Sequence, residues 1–130
     1  MKNEIQNMDR FRQPIIFAGL NFGNIFPTDI DGMIEYKNKS YLFFEIKYRE
    51  KEVPFGQKLA LERLVNDTSE KKHSIALIIQ HDERDTNKGV VVKNCFVREV
   101  YYSKEKKWRK TIPDKINAYE FMKIFFKFVG

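Results

Sequence analysis

The chain has 130 residues, 42% of them hydrophobic and 15% aromatic, enough for one domain with a modest core. This composition excludes a disordered chain, and no run of about 18 apolar residues suggests a membrane span. Lys and Arg total 24 against 18 Asp and Glu, a net charge of +6 that favours encounter with a polyanion.

Residues 2 to 12 predict a helix, with Ile5, Met8 and Phe11 spaced three apart and Pro14 ending it. The same stretch is too polar for a secretory signal. Residues 15 to 26, IIFAGLNFGNIF, read as a short strand and loop, with a turn at Gly23 and Asn24.

Two extended runs follow, residues 28 to 36 and 41 to 49. Strand side chains alternate between faces. On the first run Asp29, Asp31, Met33 and Glu35 share a face. On the second, Phe43, Glu45 and Lys47 share one, and Leu42, Phe44, Ile46 and Tyr48 the other. Packing the apolar faces together places Asp31, Glu45 and Lys47 on the opposite side. A two-residue turn at Asn38-Lys39 would separate Asp31 from Glu45. An odd-length connection or a bulge within residues 37 to 40 is therefore expected. Two carboxylates and an amine at the end of a hairpin suit a hard divalent cation, magnesium or manganese. The alternative for such a set is an ion-pair cluster on a solvated strand face.

Arg49 to Glu52 form a charged loop, and Pro54 is placed to open a helix. Over residues 55 to 67, Leu61, Leu64 and Val65 make an apolar stripe. Gln57 lies on that stripe. It would either reach a carboxylate, phosphate or water at the sheet end or satisfy exposed backbone groups at the helix start. Lys58 and Glu62, four apart on the outer face, are expected to pair.

At these residues the chain resembles the PD-(D/E)xK nuclease superfamily, the restriction-endonuclease-like fold. The layout is most like its small phage-borne and Holliday-junction-resolvase-like members. The likeness covers residues 24 to 82 and rests on Asp31, or Asp29, before a hairpin, on Glu45-Ile46-Lys47, and on Gln57 in the next helix. One departure stands out: Pro27 is followed by Thr28 and only then Asp29, whereas the family places proline directly before its metal-binding aspartate. The resemblance implies an α/β fold, a mixed central sheet with an αβββαβ core, extended here by further strands and a C-terminal helix. It implies metal-dependent hydrolysis of DNA. Asp31 and Glu45 would ligate the metal, with Asp29 as the competing ligand and the Ile46 carbonyl as a third donor. Lys47 and Gln57 would serve the attacking water and the phosphate. Glu4 would be either an acid near the site or an ordinary first-turn helix acid. A non-catalytic nuclease-like fold that binds nucleic acid or a host protein is the alternative function.

Residues 74 to 80, SIALIIQ, predict a central strand covered on both faces, reached by a right-handed crossover. His81 and Asp82 end it, as substrate contacts or as ordinary loop residues. Residues 83 to 89 read as a turn, and residues 90 to 102 as one long strand or two. Within them the single Cys95 is a small buried hydrophobe, and having no disulfide partner it fits a cytoplasmic protein. In the basic segment 103 to 110, Lys106, Lys107 and Arg109 would hold phosphates and Trp108 would stack on a base; a solvated hairpin tip is the other reading.

Asp114 is expected to cap a last helix over residues 115 to 128. Ile116, Tyr119, Met122, Phe126 and Val129 form one apolar line on it, and Phe121, Phe125 and Phe128 another. A small sheet covers only one such side easily, so a homodimer through this helix is expected to bury the second.

Overall fold

A computed structural model describes residues 12–111 and 115–130. The expected first helix, Glu4 and Asp114 lie outside them. The chain is α/β. Five strands form one sheet in sequence order: β1 Gly32–Tyr36, β2 Ser40–Tyr48, β3 His73–His81, β4 Phe96–Tyr102 and β5 Lys107–Lys110. Helix α1, Phe55–Thr68, joins β2 to β3, and α2, Ala118–Val129, closes the chain. β2 and β3 are parallel, as a helical crossover requires, and every other pairing is antiparallel. Among the described residues no helix is long and apolar enough to cross a membrane.

The β1–β2 connection has the odd length that the carboxylate pattern demands. Tyr36 pairs with Ser40, leaving three residues between the strands. Lys37 and Asn38 take φ of 49° and 58°, and the Glu35 carboxylate accepts the Asn38 N–H at 2.6 Å. β1 starts at Gly32, later than expected. A Cβ at Gly32 would run into the Phe44 ring opposite it, so only glycine lets that ring lie across the edge strand.

Both sheet faces are covered, as the continuous apolar run of β3 requires. On one face Leu42, Ile75, Leu77, Ile79, Val97 and Val100 pack with Ala118 and Phe125 of α2. On the other, Phe43, Ala76, Ile78 and Tyr101 pack with Leu61 and Val65 of α1. The face of Glu45 and Lys47 is thus a second core, which rules against the alternative of a solvated strand face.

Other boundaries move for local reasons. Residues 15 to 26 form no strand; an isolated bridge joins Phe22 to Ile25 around the Gly23 turn, and the apolar side chains are exposed. Only the end of the 90 to 102 run is strand, preceded by a 3-10 turn at Val92–Asn94. Cys95 follows that turn and is half-buried against the α2-side core. The last helix begins at Ala118. Residues just before it are held against β4 instead, Val97 N–H bonding the Ile116 carbonyl and Ala118 N–H the Cys95 carbonyl. Asn117 is the cap, its side chain accepting the Glu120 N–H at 2.8 Å. Phe125 is buried, and Phe126 stacks on Tyr36 with centroids 4.3 Å apart, so each apolar line of α2 finds some cover. Tyr119, Ile124 and Phe128 stay exposed.

Candidate functional site

Asp31, Glu45, Lys47 and Gln57 meet at one end of the sheet, on its α1 face. Glu45 and Lys47 are two apart on β2, and the Lys47 Nζ lies 3.5 Å from Glu45 Oε1. Asp31, just ahead of β1, accepts the Ile46 N–H on Oδ2 at 2.7 Å. Its carboxylate thus takes over the ladder bond where strand pairing stops at Gly32. The N–H and C=O of one strand residue leave on the same side. The Ile46 carbonyl is therefore directed to the edge where Asp31 sits.

Gln57, Leu61 and Val65 form an i, i+4, i+8 stripe of α1. Leu61 and Val65 bury against the sheet, so Gln57 is carried over its end. Its Nε2 donates to the Asp29 carbonyl at 3.0 Å. Asp29 therefore contributes its backbone here, and Asp31 brings its carboxylate to Glu45.

Glu45 is 4% exposed. Burial pushes its carboxyl above the usual carboxylate range, and the neighbouring Asp31 carboxylate adds to this. Lys47 and the Gln57 amide oppose the shift. Two buried oxygens of this group, Glu45 Oε2 and Gln57 Oε1, have no hydrogen-bond partner. Both are acceptors, and a buried acceptor without a donor is costly. Hard oxygen donors of this kind fit magnesium or manganese, which take one or two carboxylates and keep several waters. Among the described residues there is no cluster of three or more His, Cys, Asp and Glu that could hold a metal ion, so a cation here would rely on this carboxylate pair, with the Ile46 carbonyl and water.

The basic hairpin is not brought to this site as a unit. Trp108 pairs with Tyr101 and shares the α1 face, whereas Lys107 and Arg109 pair with Tyr102 and Val100 and share the α2 face. Lys106 occupies the turn with φ 58°. Arg109 is paired with Glu105. The Trp108 ring packs on Tyr101 at 5.4 Å with the Lys58 ammonium over it at 5.2 Å. An indole held this way is half-buried against the α1-side core. Lys58 makes its ion pair with Glu99 at 3.3 Å, in place of the expected Glu62. His81 accepts the Glu83 N–H on Nδ1 and leans on Tyr48, the part of a strand-end histidine.

One feature near the site has no sequence signal. The β3–β4 register shifts between Ile78 and Ile79, since Ile78 pairs with Glu99 but Ile79 with Val97. The extra β4 residue is Arg98, and the bulge turns it to the same side as Glu99, where both line one cleft. Its guanidinium donates to the carbonyls of Arg49 and Lys51, tying down the loop after Lys47. Bulges follow from the fit between strands, so Arg98 reads from sequence as an ordinary strand cation.

Comparison with protein-family models, with curated proteins and with solved structures gave no match for this chain. The fold and the site residues are therefore what bears on function.

Proposed function

We propose that this protein is a metal-dependent nuclease that hydrolyses phosphodiester bonds in DNA. The observation that carries this reading is the convergence of Asp31, Glu45, Lys47 and Gln57 around two buried oxygens that have no protein donor. Asp31 and Glu45, with the Ile46 carbonyl, would hold the cation, and Asp31 is preferred to Asp29 because its carboxylate faces Glu45. Magnesium or manganese, when bound, supplies an acidified water and neutralises charge on the phosphate. Lys47 would orient the attacking water and stabilise the charge that develops in the transition state. Gln57 would position water or phosphate with the amide oxygen now lacking a partner. A second copy of the chain, joined through Ile124 and Phe128, belongs to the same proposal and would place two sites at a fixed spacing.

A second reading, a non-catalytic module that binds a host protein, is favoured by a separate feature. Ile15, Ile16, Phe22, Ile25 and Phe26 are each at least 65% exposed, and an apolar patch of this kind marks interaction surfaces. One assay separates the two. Plasmid and single-stranded DNA are incubated with manganese, then with chelator. Manganese-dependent cleavage that the chelator stops supports the nuclease, and intact DNA throughout leaves the binding module.

A further inference from the structure

Beside the acidic site lies a cleft of about 1120 Å³ at the same end of the sheet. The two are neighbours through the strand register. Gln80 lines the cleft and pairs directly with Lys47, and Lys58 follows Gln57 on α1. Six cations line it: Arg49, Lys58, Arg84, Arg98, Lys110 and Lys115. Of its four carboxylates, Glu99 is already held by Lys58 at 3.3 Å and by Arg98 at 3.7 Å. Arg49, Arg84, Lys110 and Lys115 have no such ion pair among the described residues. They outnumber the remaining acids, Glu50, Glu52 and Asp82, and come from four separate segments of the chain. Arg49 and Lys115 also lie over aromatic rings, Tyr48 at 5.2 Å and Phe96 at 6.0 Å. Of these rings only Phe96 lines the cleft, so it is the unpaired cations along a concave surface that suit a polynucleotide backbone.

We propose that this cleft, with Lys110 and Lys115 at its exposed rim, is the track that holds the phosphodiester backbone of the substrate next to the acidic site. The inference rests on reading that site as hydrolytic, and it moves the phosphate contacts from the hairpin tip to the opposite sheet face. Lys110 is on the cleft face because it pairs with Glu99, whereas Lys107 and Arg109 alternate away from it. The Arg98 bulge contributes by fixing the Arg49 loop and by turning Glu99 onto Lys58, which removes one repelling carboxylate from the path.

The test is fluorescence anisotropy with a labelled DNA oligonucleotide, single-stranded and as a blunt duplex, in chelator so that cleavage plays no part. The cleft variant is Lys110→Glu with Lys115→Glu. The control is Lys107→Glu with Arg109→Glu, an equal charge change on the far face. Circular dichroism checks that both are folded. The cleft variant should bind at least tenfold more weakly at low salt. Its log–log salt slope should fall by about 0.7 for each phosphate no longer neutralised on a single strand, or about 0.9 on a duplex. Whichever DNA form shows the weakening identifies the form the cleft takes. The control should bind like wild type. Equal weakening in both variants, or none in the cleft variant, would overturn the proposal. Cleavage is read separately with manganese. Cleft-dependent binding without cleavage sinks the nuclease and keeps the track; cleavage that is indifferent to the cleft variant does the reverse.

Discussion

The two faces of this sheet are built from the same strands and each carries one helix, yet they differ in what they bury. The α2 face is a nearly unbroken aliphatic and aromatic core, and among the described residues its one buried polar atom without a partner is Ser40 Oγ. The α1 face holds Glu45, Gln57, Ser74 and Trp108, each with such an atom. A stable fold needs none of these, since buried polar groups cost free energy unless they are paired. Their concentration on one face separates a nearly apolar core from a core that also carries polar groups without a partner.

The contrast breaks most readily on the α2 face. Leu77 is fully buried there, and Leu77→Ala should cost about 2–5 kcal/mol in chemical denaturation. The cleavage rate of the molecules that remain folded should stay near wild type. A drop in activity larger than the drop in folded protein would show that the α2 face serves the site as well.

On the α1 face the expected order reverses. Lys47→Ala or Glu45→Gln should lower the cleavage rate about 10²–10³-fold, the size of removing one preorganised charge-stabilising group. Glu45→Gln keeps the buried volume, which matters because Glu45 lies in a core. Wild-type rates in both variants would end the nuclease assignment.

Gly32→Ala probes the seam between structure and site. The new methyl must displace the Phe44 ring, and overpacking of this kind costs about 1–3 kcal/mol. Because Asp31 is the adjacent residue, manganese affinity measured by calorimetry should fall with it. Unchanged affinity in a destabilised variant would uncouple the edge strand from the site.

A smaller effect follows from the raised Glu45 carboxyl. A carboxyl whose folded pKa is above its unfolded value favours folding fully below the unfolded value, about 4.5, and loses that contribution as pH rises through the folded one. Metal-free wild type should therefore lose stability through this window. Glu45→Gln should remove that slope and melt a few degrees higher at pH 7. Adding manganese at pH 7 should raise the wild-type Tm and leave the variant's unchanged. A variant that melts lower than wild type at pH 7 would mean that the Lys47 pairing outweighs burial.

The smallest effect concerns assembly. Phe128 is 74% exposed, so Phe128→Glu should leave the fold intact and shift only the mass seen by light scattering at micromolar concentration. Phe125 is buried, and the same change there should unfold the protein. A wild-type mass near 15.6 kDa would remove the dimer and leave the metal site untouched.

Much of this protein is written in short-range pattern. Alternation along β2 put Glu45 with Lys47. Keeping Asp31 beside them required an odd connection, and three residues separate Tyr36 from Ser40. The spacing of Gln57, Leu61 and Val65 placed the glutamine on the sheet-facing stripe, and the apolar run of β3 required cover on both faces. These features follow from periods of 2 and 3.6, which a sequence displays directly. What only the tertiary structure decided depends on pairing between distant segments. Gly32 matters through Phe44 across the ladder, and the Arg98 bulge arises from the fit of β4 on β3. Asn117 caps the last helix at a point set by bonds to the start of β4, through the Ile116 carbonyl and the Ala118 N–H. The hairpin segment 106 to 109 looks like one basic cluster around a tryptophan along the chain, but the sheet sends its residues to opposite faces, since the register with β4 assigns each side chain its side.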